Sequence, residues 1–309
     1  MIRSALRKLL GIPDLSLLSQ ASPQQPDSSS DIAAINEQIR YLRLEVSKLS
    51  ALMRYLDADR INTLPLYVNT MKSFDYQWKG TEDGNWVETR PDLKQREPRK
   101  VLEYTQLEPD WFKGKTVLDA GCGSGRFSWS MASLGANVVA VDQSPSGVNH
   151  TKTACAEFGD RVRAFRHDLK TPLSVTEPFD LVWSYGVLHH TGDTYTSFKN
   201  IARHVRPGGY IFLMLYGEPD GSDIGTFAYY AEVEELRRQS VGMSFPERYE
   251  FLRKLKGDEV GGWFDAVSPA INDTYAFHEI VAWLQNEGFF NIKRTLSHPN
   301  HHVVAQRRS

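Results

Sequence analysis

Lys115-Thr-Val-Leu-Asp-Ala-Gly-Cys-Gly-Ser-Gly-Arg-Phe127 decides the fold. Val117 and Leu118 end a short apolar run, the pattern of a parallel strand buried on both faces. Gly121, Gly123 and Gly125 then clear every bulky Cβ from a tight turn, so that a ligand can lie against the backbone. Beyond them Phe127, Trp129 and Met131 to Leu134 open a helix whose first amides face the same spot.

The spacing of the glycines narrows the ligand. A dinucleotide turn places its third glycine at the sixth position of G-x-G-x-x-G. Here that position is Arg126, and the glycines fall as G-x-G-x-G. Asp119 stands two residues before the first of them, where its carboxylate repels a pyrophosphate and attracts a cation. S-adenosylmethionine, with its sulfonium and ammonium charges, fits this turn better than NAD.

Val117-Leu-Asp-Ala-Gly-Cys-Gly-Ser-Gly125 resembles the first motif of the class I S-adenosylmethionine-dependent methyltransferases. Asp142, Asp168, Phe179 to His190 and Arg206-Pro-Gly-Gly209 follow in that family's order, so the resemblance covers about residues 110 to 216 and a final strand pair. It implies a Rossmann-like seven-stranded α/β sheet with helices on both faces. It also implies cofactor contacts from Asp119, Gly121, Cys122, Gly123 and Gly125, and from Asp142 and Gln143 after the second strand. Asp168 and Leu169 would hold the adenine, and Ser184 and Tyr185 the methionine end.

The residues support these roles in their own right. Asp142 ends Asn137-Val-Val-Ala-Val-Asp142, where a carboxylate can accept both ribose hydroxyls, though it also suits a helix N-cap. Asp168 follows the third strand, a place where Asp is commonly a turn residue. His189 and His190 close the loop after the fourth strand. Methyl transfer from a sulfonium is an in-line displacement in which positioning does most of the work, and a hydroxyl acceptor also needs a general base. Adjacent histidines on an extended loop point apart, and His190 is the preferred base of the two.

Alternating strands and helices run on through the core, with strands expected at 116–120, 137–142, 162–166, 179–184 and 210–215. Helices are expected near 125–134, 145–158, 194–205 and 277–287, and closing strands near 290–296 and 302–307. Together they make a methyltransferase domain over 111–309, interrupted after the fifth strand by a substrate-side insertion over 217–275, helical from about Thr226 to Lys256. Ligands of open α/β sheets bind at the carboxyl ends of the strands, so this insertion stands above the site.

Residues 61–110 lack clean periodicity but are rich in aromatics, Tyr67, Phe74, Tyr76, Trp78 and Trp86. Phe74-Asp-Tyr-Gln-Trp78 resembles a segment that folds over the cofactor as an N-terminal lid in small-molecule methyltransferases, which makes Tyr76 and Trp78 acceptor-side candidates; plain packing is the alternative. Tyr216, at the fifth strand's exit, joins them. Asp265 to Glu279 resembles a substrate-side loop of methyltransferases from glycan and natural-product pathways, with Asp265, Tyr275 and His278 as contacts.

Upstream, residues 1–30 read as a leader and a polar, proline-containing linker. Arg3, Arg7 and Lys8 among Ile2, Leu6, Leu9 and Leu10 suit either a frayed leader or a short helix resting on a membrane surface. Over 31–58, Ile32, Ile35, Ile39, Leu42, Val46, Leu49, Met53 and Leu56 keep alternating spacings of three and four, a coiled-coil-like heptad seam. It serves a homo-oligomer or packs on its own catalytic domain.

The 309 residues carry a net charge of −2, which gives no basic excess for nucleic acid. The chain has no Asn-Pro-Pro-Tyr type sequence after the fourth strand, against methylation of nucleic acid or protein amides. Its two cysteines, Cys122 and Cys155, form no disulfide framework and suit a reducing, cytoplasmic setting. His298, His301 and His302 flank a Pro-Asn turn without a carboxylate or thiolate to complete a metal site, so no metal is expected.

The expected function is methyl transfer to a small-molecule or lipid-linked acceptor, through a hydroxyl of a sugar, glycan or specialised metabolite. A small amine is the alternative acceptor. A non-catalytic coiled-coil assembly protein and an NAD-dependent oxidoreductase are the rivals from other classes.

Overall fold

The computed structural model describes residues 66–79, 87, 90–218 and 224–309. The expected leader and heptad helix lie outside the described residues. Two helices precede the sheet, α1 (Leu66–Gln77) and α2 (Pro91–Thr105). The core then runs β1 (Thr116–Ala120), α3 (Arg126–Ser133), β2 (Asn137–Asp142), α4 (Pro145–Ala154), β3 (Val162–Arg166), β4 (Phe179–Tyr185), α5 (Thr194–Ala202) and β5 (Val205–Leu215). Helices α6 (Ile224–Gln239), α7 (Phe245–Lys256) and α8 (Val260–Val267) make up the insertion. The chain closes with α9 (Phe277–Asn286), β6 (Phe289–Arg294) and β7 (His301–Arg307).

The seven strands form one sheet in the order β3-β2-β1-β4-β5-β7-β6. The first five are parallel, and β7 enters antiparallel between β5 and β6. The strand order reverses between β1 and β4, and such a switch point opens a crevice at the carboxyl ends of the strands. The glycine turn leaves β1 at that crevice, and the two histidines leave β4 there.

Alternation along the strands builds a core on each face. Leu118, Val139, Val182 and Leu213 face Phe198, Ile201, Ile280 and Leu284 from α5 and α9. Val117, Val138, Leu181, Trp183 and Phe212 face Val101, Phe112, Phe127 and Met131. Asp180 ties the sheet's lower end: it accepts the Thr116 amide at 2.9 Å and pairs with Arg206 at 2.9 Å. Helices α6 to α8 build a separate apolar cluster on Leu236, Leu252, Val260 and Phe264. Among the described residues no helix is long and apolar enough to cross a membrane.

Most element boundaries meet the expectation within a residue or two; β5 does not. It begins at Val205 rather than 210, because Arg206-Pro-Gly-Gly209 is absorbed as an irregularity. Phe179 pairs with Val205, and the next pair is Leu181 with Tyr210.

Candidate functional site

The turn after β1 is anchored by its own amides. Gly121 and Cys122 both donate to the Val141 carbonyl, at 2.8 and 3.0 Å. Asp142 closes the turn from the end of β2: Oδ2 accepts the Gly123 amide at 2.9 Å and Oδ1 the Ser144 amide at 2.7 Å. Burial raises its pKa, and these two amide bonds oppose the rise. A carboxylate oxygen accepts more than one hydrogen bond, so Asp142 keeps capacity for a vicinal diol.

The glycines serve close packing by the protein itself. A Cβ on Gly121 would stand 2.2 Å from Val187 Cγ2, and one on Gly123 would stand 2.9 Å from the Trp78 ring. Both residues also have positive φ. The backbone approach expected of a ligand is therefore made in part by Val187 and Trp78, and the ligand space lies beyond them.

That space is a cleft of about 1080 Å³, counting its open mouth. Trp78, Gly121, Cys122, Gly123, Asp142, Gln143, Asp168, Leu169, Tyr185, His190, Tyr216 and Asp265 all line it. Residues expected from seven separate stretches of chain thus meet in one place.

Four of the expected cofactor and base residues stand back from it. Asp119 is 1% exposed and accepts the Ser128 hydroxyl at 2.5 Å. Burial lifts its pKa to about 7, with Asp142 adding to the rise and Ser128 opposing it. Asp119 is thus buried behind the turn, and the carboxylates that line the cleft are Asp142, Asp168 and Asp265. Gly125 caps α3 in a left-handed conformation. The Ser184 hydroxyl is buried in the sheet and donates to the Ala120 carbonyl at 2.9 Å. His189 is fully buried, 4.0 Å from the Tyr216 ring centroid, and neither ring nitrogen has a hydrogen-bond partner among the described residues.

Of the two adjacent histidines, His190 is the one that lines the cleft. Its Nδ1 lies 2.9 Å from the Ile271 carbonyl oxygen. A carbonyl only accepts, so Nδ1 carries the proton and Nε2 is bare. Burial lowers the pKa to about 4, partly offset by the Ile271 bond, which keeps the ring neutral at physiological pH.

Of the acceptor candidates, Trp78, Tyr216 and Asp265 line the cleft and the other three do not. Tyr76 packs into the insertion, with ring centroids 5.8 Å from Phe264 and 6.1 Å from Phe245. Tyr275 is buried 4.7 Å from Trp283, its amide bonded to the Tyr216 carbonyl. His278 is exposed on the first turn of α9. Among the described residues no cluster of three or more His, Cys, Asp or Glu is arranged to hold a metal. His301 Nε2 instead meets the Tyr275 carbonyl at 2.8 Å, and His302 Nδ1 meets the Asn300 carbonyl at 3.3 Å.

Sequence reasoning missed a stripe of α1. Tyr67, Met71, Phe74 and Trp78 recur at spacings of four, three and four, one face of a helix, and all four line the cleft. Tyr76 falls off that face. The Tyr67 hydroxyl donates to Asp168 Oδ2 and accepts from Gln143 Nε2, and Phe74 packs edge-on at 4.8 Å from His190. Asp75 accepts the Ser144 hydroxyl at 2.7 Å and the Ser146 amide at 3.1 Å, which pins α1 to the start of α4. Burial would raise its pKa, but these bonds and Lys79 outweigh it and hold it at about 2. Arg126 was noted only as an interruption of the glycine spacing; it lines the cleft beside Tyr185, 5.4 Å from ring centroid to guanidinium.

Comparison with known proteins points the same way. Residues 117–209 match a family described as a methyltransferase domain. The chain is 38% identical over 191 residues to a ubiquinone biosynthesis O-methyltransferase of Xanthomonas euvesicatoria pv. vesicatoria, covering 60% of this chain and 67% of that one. Against the protein of the same name from Nitrosomonas europaea it is 30% identical over 159 residues, covering 51% and 65%. The chain thus spans about two thirds of the length of these curated relatives. The magnesium protoporphyrin IX methyltransferase of Synechocystis, crystallised with bound S-adenosylmethionine, shares the fold at a TM-score of 0.50 and 16% identity, over 80% of this chain and 100% of that one.

Proposed function

Because the chain belongs to the class I S-adenosylmethionine-dependent methyltransferases, we propose that it methylates a hydroxyl oxygen of a small-molecule or lipid-linked acceptor. The observation that carries this reading is His190, whose bare Nε2 belongs to the same cleft as the glycine turn and Asp142. The curated relatives named above are O-methyltransferases by name, which supports oxygen over nitrogen. A sugar, a glycan or a specialised metabolite remains the proposed acceptor class.

The residues fit the cofactor. Asp142 would accept the ribose hydroxyls while its amide bonds hold it in place. Leu169 would lie against the adenine, and Asp168 would accept the adenine amine beside Tyr67. When bound, S-adenosylmethionine supplies an electrophilic methyl group on a sulfonium. His190 Nε2 takes the acceptor's hydroxyl proton as the oxygen attacks, and Nδ1 stays bonded to Ile271 so that the ring does not turn. Phe74 and Trp78, from α1, keep water from the reacting atoms.

Calorimetric titration with S-adenosylmethionine and with NAD, beside an Asp142→Ala control, tests the reading. Binding of S-adenosylmethionine that the substitution weakens at least tenfold is the expected result. Binding of NAD alone would sink it, and so would no binding of either.

A further inference from the structure

Asp265 stands on α8, in the insertion and beyond the residues that match the methyltransferase domain. It lines the cleft, yet its Oδ1 is buried without a hydrogen-bond partner among the described residues. The Gln77 side chain hydrogen-bonds the Asp265 carboxyl group, while Oδ1 itself has no partner among those residues. Buried carboxylate oxygens are almost always satisfied, because an unmet one costs free energy that a partner would recover. Such an oxygen in the wall of a cleft marks a place for a donor.

The surroundings say which donor. Phe74, Tyr185, Met214 and Tyr216 give this part of the cleft apolar and aromatic walls. Arg126, whose charge also acts on Asp265, is 3.4 Å from Glu97 and stacks 4.5 Å from the Phe127 ring, so among the described residues it is already engaged. An anionic group would meet the Asp265 carboxylate without a free cation to offset it. His190 offers a second acceptor atom, Nε2, and a single O–H cannot satisfy both.

We infer that Asp265 reads the methyl acceptor by binding a hydrogen-bond donor, a hydroxyl or an ammonium, distinct from the atom that is methylated. The acceptor therefore carries two polar groups on an apolar or aromatic frame. One loses its proton to His190; the other is held by Asp265 and sets which position is methylated. Specificity thus resides in the insertion, while the common core holds the cofactor. This inference rests on the methyltransferase reading proposed above.

The test uses the full chain saturated with S-adenosylhomocysteine and three probes of one shape: 2-phenylethanol, phenethylamine and 3-phenylpropanoate. Binding is followed by ligand-observed NMR for the wild type, Asp265→Asn and Asp265→Ala. The wild type is expected to bind the alcohol or the amine about tenfold tighter than the carboxylate, about one charge-assisted hydrogen bond. Both variants should lose that preference while S-adenosylhomocysteine binds within twofold of wild type. A larger loss for the amine identifies an ammonium, and equal losses a hydroxyl. Unchanged probe binding in the variants overturns the inference, as does tightest binding of the carboxylate or no probe binding at all. A wild-type protein that fails to bind S-adenosylhomocysteine overturns the methyltransferase reading instead.

Discussion

The Tyr67 hydroxyl, on the helix that precedes the sheet, donates to Asp168 Oδ2 at the end of β3, and Gln143 donates to the same hydroxyl. Burial and the Asp168 carboxylate both raise the pKa of Tyr67, so the phenol keeps its proton. Lys170 Nζ sits 3.1 Å above the Tyr67 ring. A single phenol thereby joins α1 to Asp168, proposed to hold the adenine, and to Gln143 beside it.

Tyr67→Phe should therefore loosen the cofactor rather than abolish its binding. Loss of one charge-assisted hydrogen bond, about 1.5–3 kcal/mol, corresponds to dissociation of S-adenosylmethionine roughly ten- to a hundredfold faster. Stopped-flow fluorescence, with Trp78 as the reporter near the site, measures the rate. An unchanged dissociation rate would show that Tyr67 clamps nothing.

His190 sets the pH dependence. Its lowered pKa of about 4 leaves the ring unprotonated across the physiological range, so activity on a hydroxyl acceptor should show no limb near 6.5 from this group. His190→Gln should lower kcat roughly 10²- to 10⁴-fold, the usual worth of a general base, and leave cofactor binding intact. A limb near 7 that persists in the variant belongs to Asp119 or Asp265. A limb near 6.5 that disappears with His190 would contradict the buried, neutral ring.

The core strands were legible because their apolar runs are short, β-branched and bounded by glycine or asparagine. Helices α1, α2 and α8 were not, for a physical reason. Helix α1 buries Asn69, Thr70, Ser73 and Gln77 beside the stripe that lines the cleft, so polar inward residues mask that stripe. Helix α2 carries Pro98 inside it and buries Glu97, which is paired with Arg96, Lys100 and Arg126. Helix α8 was hidden by Gly261 and Gly262, which read as breakers, yet it carries Asp265 into the cleft. His189 and His190 could be ranked from chain direction alone, but only the Ile271 carbonyl shows which nitrogen of His190 is free.

Gly121 and Gly257 separate two costs of replacing a glycine. Both have positive φ, at 97° and 55°, but a Cβ on Gly257 meets nothing within 4 Å, whereas one on Gly121 meets Val187 at 2.2 Å. Gly257→Ala should cost about 1–3 kcal/mol, the penalty of a positive-φ backbone alone. Gly121→Ala should cost that and about 1–3 kcal/mol more for overpacking, and it should weaken cofactor binding by displacing the turn. Thermal denaturation of both variants and of Gly121→Ala with Val187→Ala measures the difference. The double substitution should recover the packing part only; equal melting temperatures for the two single variants would refute the close contact.

Asp119 makes the fold's stability depend on pH in a direction opposite to that of a salt-bridged carboxylate. Its pKa rises from 3.8 in the unfolded chain to about 7 in the fold, chiefly through burial. Between those values the folded state binds more protons than the unfolded one, so this residue's contribution falls as pH rises and levels off above 7. Asp119→Asn keeps an oxygen to accept the Ser128 hydroxyl and removes the charge. The variant should match the wild type near pH 4 and gain on it steadily to pH 7, by on the order of a few kcal/mol at about 1.4 kcal/mol per pKa unit. Urea denaturation of both proteins at pH 5, 6, 7 and 8 traces the gap. A gap that is constant across the series would mean that Asp119 titrates alike in the folded and unfolded chains, and that burial is not what perturbs it.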